Sequence, residues 1–114
     1  MVHIDSTTTQ IILLTARIAL WGGGTPCTEH LESTGIRTLL FAGVNTDQCV
    51  GGSLQDAFSR GYDCLLLSDG CATTSPSSSQ QSIEFNAEKC WGFALTCEQL
   101  EKGVGQIQRQ ARAS

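Results

Sequence analysis

The chain has 114 residues, a formal net charge of −4 and 40% hydrophobic residues, which suits one domain with one core but is small for a layered α/β protein. Its seven Lys and Arg are scattered, so no clustered cationic surface tracks phosphates and nucleic acid is not an expected partner. No apolar run reaches the ~18–20 residues that span a bilayer, and the N-terminus lacks the basic flank and hydrophobic stretch of a signal peptide; a cytoplasmic protein without a membrane partner is expected.

Gln10 to Leu20 reads as a strand, and Thr25-Pro26 opens a helix that Gly35 ends. Thr38–Val44 and Cys64–Leu67 are nearly continuous apolar runs, as strands covered on both faces of a parallel sheet are. Between them the spacing predicts a helix from about Asp47 to Arg60. It carries Val50, Leu54, Ala57 and Phe58 on one side and stops at Gly61. Strand, helix and strand make a right-handed crossover. Thr73–Gln81, "TTSPSSSQQ", reads as a solvated loop leading into a helix, with Ser75 as N-cap and Pro76 as first helical residue. Ile83, Ala87, Cys90 and Trp91 then recur at helical spacing as one buried face, and Phe85, Trp91 and Phe93 read as core aromatics. Phe93–Thr96 is a further strand, Glu98–Gln108 a last helix, and Arg109–Ser114 a polar, frayed tail.

This alternation predicts an α/β fold: three layers, with a mostly parallel sheet and helices on both faces. Thr38–Val44 should lie inside that sheet, flanked by Gln10–Leu20 or by Cys64–Ser68.

Six cysteines are present, in or beside apolar segments and without a Cys-x-x-Cys pair, so free thiols in a reducing compartment are expected. His3 and His30 lack metal-ligand spacing, and no metal or cofactor is expected. Asp69, at a strand end, reads as a turn or helix-cap carboxylate. Cys49 is harder to assign. With Thr46 as N-cap it falls in the first turn of a helix that follows an inner strand. In parallel sheets ligands bind outside the carboxyl ends of the strands, and the N–H groups of a helix start stabilise an anion. Asp47, in the same turn, is expected to face solvent. By periodicity alone, a cysteine beside Val50 reads more readily as core filler.

A resemblance shifts that balance. From Leu20 to about Cys97 the motifs "LWGGGTP", "GIRTLLFAGVNTDQCV", "GGSLQDAFSRGYD" and "LLLSDGCATT" resemble the C-terminal part of the isochorismatase-like cysteine hydrolases. That superfamily includes nicotinamidases, ureidoacrylate and biuret hydrolases, carbamoylsarcosine amidohydrolases and isochorismatases. The resemblance implies an N-terminally truncated fold of that class, with Cys49 as nucleophile toward the C–N bond of a small amide or urea. It implies a cis Val44–Asn45 peptide, Asn45 and Cys49 N–H groups at the oxyanion, and substrate contacts from Trp21 and Asn45.

The family also uses a carboxylate at the end of a first strand and a lysine on a neighbouring one. Counting back from "LWG", the lysine position falls on Leu14, with Arg17 the only cation nearby. The one candidate base is Asp5, which ends "VHID". The Asp-x-His…His ligands of the metal-dependent nicotinamidases have no counterpart. Two readings follow: a cysteine amidohydrolase, or a truncated or degenerate non-catalytic copy acting at most as an oligomer partner or binding module. A sheet lacking its first strand leaves apolar surface uncovered, so a homo-oligomer is expected.

Overall fold

The computed structural model describes residues 26 to 113. In chain order it contains α1 (Pro26–Thr34), β1 (Thr38–Val44), α2 (Gly51–Ser59), β2 (Asp63–Ala72), α3 (Ser77–Asn86), β3 (Gly92–Leu95) and α4 (Cys97–Ala113). Wide π turns, Thr46–Val50 and Ala87–Trp91, lead into α2 and extend α3. The strands form one parallel sheet in the order β1-β2-β3, which confirms the α/β architecture.

The two Gly stops act as expected. Gly35 takes φ +70° after α1 and Gly61 φ +93° after α2, a region L side chains rarely adopt. Gly61 N–H donates to the Phe58 carbonyl (3.0 Å) and Tyr62 N–H to the Ala57 carbonyl (3.1 Å). This bond pair closes the C-terminal carbonyls of α2 and turns the chain into β2.

Alternation along β1 and β2 builds the core. Leu39, Phe41, Cys64, Leu66 and Cys71 form one buried cluster with Leu31, Ile36, Val50, Leu54, Ala57 and Ala87. Leu40 and Leu67 are also buried; their neighbours along the strand belong to that cluster, so alternation turns these two to the opposite face. Both faces of the strands are thus covered, as their unbroken apolar character requires.

Several expectations need correction. β2 does not stop at Leu67. Between the pairs Phe41↔Leu66 and Gly43↔Cys71, β1 advances by two residues while β2 advances by five. The extra residues bulge outward, and Cys71 and Ala72 rejoin β1 beside Gly43 and Val44. The polar Ser68-Asp69-Gly70 marks the bulge, which sequence alone reads as the strand's end. Among the described residues β2 is the central strand and β1 pairs only with β2. The flank expected from Gln10–Leu20 lies outside the described residues.

At α3, Pro76 is the N-cap (φ −54°, ψ 146°) and Ser77 the first helical residue, one position later than expected, because Ser75 is engaged elsewhere. Ile83, Ala87 and Trp91 do pack on the core, but Cys90 is exposed. The π turn holds more residues per turn than an α-helix, which rotates Cys90 off that face. Phe58, Phe85 and Phe93 were expected inside and are 45%, 60% and 69% exposed. Phe93 pairs with Leu65 on the face away from Cys64 and Leu66. On that edge strand nothing among the described residues closes over it. Finally, α4 starts at Cys97 and continues through Ala113. The expected fraying at Arg109 is overridden by a run of Gln, Arg and Ala, all favourable in helices.

Candidate active site

β1 delivers the chain to the carboxyl edge of the sheet at Val44, and the Val44–Asn45 peptide is cis. Asn45 is extended (φ −95°, ψ 145°) and caps the helical segment that begins at Thr46. The cap is therefore one residue earlier than the sequence suggested. The Asn45 carbonyl accepts from Gln48 N–H (3.1 Å) and from Val50 N–H (3.3 Å); the second bond spans five residues and makes the turn wide. Thr46 and Val50 are buried and pin this turn to the core, whereas Cys49 between them is only half-buried. The turn thus presents Cys49 just beyond the end of β1, on the side of a parallel sheet where ligands bind.

The other thiols near the sheet have a different character. Cys64 Sγ faces the carbonyls of Leu54 (3.7 Å) and Tyr62 (3.6 Å), and burial, with Asp63 adding, pushes its pKa up to about 11. Cys71 Sγ faces the Phe41 carbonyl at 3.9 Å, and burial raises it as well. Burial also raises Cys27. These three fill space. All six cysteines are free thiols.

Asp47 was expected to face solvent. Instead its Oδ1 accepts from Thr73 Oγ1 at 2.5 Å, and Thr73 Oγ1 accepts from Ser75 N–H at 3.1 Å. The hydroxyls of Thr73 and then Ser75 hold the Asp47 carboxyl below the usual carboxylate range. Gln48 Nε2 donates to Ser75 Oγ (3.4 Å), and Asn45 Nδ2 donates to Gln48 Oε1 (3.4 Å). The turn bearing Cys49 is therefore tied to the segment after β2 through Thr73, which sequence reasoning left in a solvated loop, and Ser75, which it read as a helix cap. Their signal was available: a hydroxyl-rich run directly after a strand end lies on the ligand side of the sheet.

Asp69 is the cap carboxylate it reads as. Its Oδ1 accepts from Cys97 N–H at 2.8 Å, at the start of α4, and that bond holds it below the usual carboxylate range. Hydrogen bonding of the Cys97 thiol itself to Asp69 pushes that thiol up. Lys89 and Lys102 pair with Glu88 (3.8 Å) and Glu98 (3.1 Å) on exposed surfaces. Asp5, Trp21, Leu14 and Arg17 lie outside the described residues. Among the described residues no group of three His, Cys, Asp or Glu could hold a metal ion, and no helix is long and apolar enough to cross a membrane.

Comparison with known proteins agrees with this fold. The isochorismatase domain model matches residues 13–99. Ureidoacrylate amidohydrolase RutB of Rhizobium rhizogenes is 37% identical over 76 residues, covering 67% of this chain and 31% of that protein. Its counterpart in Agrobacterium fabrum is 39% identical over 66 residues, covering 58% of this chain and 29% of the relative. The chain thus spans about a third of the length of these curated relatives. An isochorismatase-like hydrolase from Alkaliphilus metalliredigens superposes with a TM-score of 0.63 at 25% identity, over 73% of this chain and 45% of the other. A cysteine hydrolase from Pseudomonas syringae shares the fold, with a TM-score of 0.69 at 18% identity over 75% and 45%. With its parallel sheet and a family match over most of its length, the chain belongs to the isochorismatase family.

Proposed function

We propose that Cys49 is the nucleophile of a cysteine amidohydrolase that cleaves a C–N bond in a small amide or urea. The observation that carries this reading is the half-exposed Cys49 at the carboxyl edge of the sheet, while Cys64 and Cys71 are buried. The ureidoacrylate amidohydrolase relatives support the substrate class. In the first half-reaction the Cys49 sulfur adds to the carbonyl carbon, and the N–H groups of Asn45 and Cys49 donate to the oxyanion. The C–N bond then breaks, the nitrogen takes up the proton lost by the thiol and leaves as ammonia or an amine, and a thioester remains. Water adds to the thioester, the C–S bond breaks, and the acid leaves with the thiol restored. Trp21 and Asn45 contact the substrate, Asp5 is the candidate base, and neither metal nor cofactor takes part. Exposed Val44, Phe85, Phe93 and Ile107 support self-association into a homo-oligomer.

One observation favours the non-catalytic reading for the chain by itself. Among the described residues Asp47 is bound to Thr73, Asp69 to α4, and both lysines to neighbouring glutamates. A positioned acid or base is worth typically ~10²–10⁴-fold in rate, so turnover without one should be weak. Ammonia release from a panel of nicotinamide, biuret, ureidoacrylate and carbamoyl amines, with Cys49→Ala as control, decides between the two. Cys49-dependent turnover near ~1 s⁻¹, within the ordinary enzyme range, supports the hydrolase and makes Asp5→Asn the next variant. Identical traces for the chain and Cys49→Ala would establish the non-catalytic copy.

A further inference from the structure

The Cys49 turn is held at one end by the Asn45 carbonyl, which two N–H groups share. At the other end the buried Val50 anchors it. Its middle is held from outside: Asp47 Oδ1 accepts from Thr73 Oγ1 at 2.5 Å. Thr73 belongs to the segment that leaves β2, and its Oγ1 also accepts from Ser75 N–H at 3.1 Å, which fixes the hydroxyl's direction. Gln48 Nε2 reaches Ser75 Oγ at 3.4 Å and adds a second tie between the same two segments. A wide turn with a shared acceptor is less regular than an α-helical one, so these ties bear on how steadily it presents Cys49.

We propose that Asp47 and Thr73 form a clamp that positions the Cys49 turn, which makes both positioning residues for the thiol. The inference rests on the proposed role of Cys49, and it deepens that role by naming what aims the sulfur. Ionised Asp47 is the acceptor, and the Thr73 hydroxyl is the donor. Without this bond the turn keeps its sequence but loses its external support. The turn then holds the Cys49 sulfur in its place at the edge of the sheet for a smaller share of the time.

The test is alkylation of the full chain by iodoacetamide, a neutral reagent whose encounter with the thiol is insensitive to local charge, followed by peptide mapping. Thr73→Val has the shape of threonine without the hydroxyl. It should lower the rate at Cys49 by about threefold or more, the low end of what a net hydrogen bond is worth. Exposed Cys90 should react unchanged as an internal reference, and buried Cys64 and Cys71 should stay slow. Thr73→Ser keeps the hydroxyl and should restore the Cys49 rate, a rescue that a merely structural methyl contact would not give. In an Asp47→Ala background Thr73→Val should have no further effect on the Cys49 rate, because the bond it removes is already absent there. If Thr73→Val unfolds the chain, seen as fast labelling of Cys64 and Cys71, the smaller Thr73→Ala removes the same hydroxyl and gives the same reading. An unchanged or raised Cys49 rate in Thr73→Val, a full Thr73→Val effect persisting in the Asp47→Ala background, or a Thr73→Ser variant no better than Thr73→Val would overturn the clamp. Failure of the nucleophile reading is separate: it would show in ammonia release from the chain and Cys49→Ala, neither of which alters Thr73.

Discussion

Replacing Thr46 by valine exchanges a hydroxyl for a methyl at a site with 0% exposure, and the replaced Oγ1 has no hydrogen-bond partner among the described residues. Burying a hydroxyl without a partner costs about 1–3 kcal/mol in proteins. The two side chains share shape and β-branching, so valine relieves that cost without opening a cavity and adds apolar burial of its own. We expect a gain of about 1–2 kcal/mol, which for a chain of this size raises the melting midpoint by roughly 5 °C. Thr46→Ser supplies the opposite control. It keeps the hydroxyl, loses one methyl, and should fall about 1 kcal/mol below the parent. Thermal and urea unfolding followed by circular dichroism give the order Val, then Thr, then Ser, with an unchanged urea slope indicating that only stability moved. A Thr46→Val variant that melts below the parent would refute the reasoning, since the hydroxyl must then have a partner such as a buried water. Thr46 lies between the Asn45 cap and Cys49, so a stabilised variant that loses Cys49-dependent chemistry would show stability exchanged for function.

The thiols should also separate by placement. At pH 7, with Cys64 near 11, only about one Cys64 in ten thousand is ionised, so Cys49 should be alkylated first and Cys64 far behind; equal rates would refute the placement argument. Helix glycines should split by their surroundings. Gly103 and Gly105 in α4 face open space, so alanine at either should add about 0.5–1 kcal/mol. In contrast, a Cβ on Gly51 would sit 2.8 Å from the Thr46 carbonyl oxygen and 3.0 Å from Ile83 Cδ1, so Gly51→Ala should lower the urea midpoint despite its better helix propensity. Acid should loosen the start of α4. The Asp69 carboxyl is depressed by the Cys97 N–H, so its contribution is full above the unfolded value of about 3.9 and is lost as pH falls through the lower folded value. Exchange of the Cys97 amide should rise over that acid window, and in Asp69→Asn the rise tied to that carboxyl should be absent.

Much of the fold was legible because burial on both faces leaves a local trace. Thr38–Val44 and Cys64–Leu67 are unbroken apolar runs, and such runs suit parallel strands whatever lies around them. Gly35 and Gly61 marked helix ends because positive φ is a property of single residues. Asp69 was legible as a cap because a carboxylate in a polar stretch directly after an apolar run has few other uses, although β2 continues past it. Cys49 was placed at the sheet mouth by strand-then-helix order, and its motif made the family recognisable.

What chain order could not reveal was set by partners distant in sequence. The bulge that carries β2 on to Ala72 exists because Cys71 and Ala72 find Gly43 and Val44 across the sheet, some 28 residues away. The π turns changed which side chains face inward, so Cys90 left a face that regular spacing had assigned to it. Phe85 and Phe93 are exposed because burial needs a covering layer, and hydrophobicity alone does not supply one. Asp47 is the sharpest case. Its own neighbours suggest a solvated carboxylate. The hydroxyl that claims it sits 26 residues later in a segment that reads as loop, and only the pairing of β1 with β2 brings the two together. Local propensity and periodicity thus determined the elements and the mouth of the sheet, while long-range pairing decided which side chains meet there.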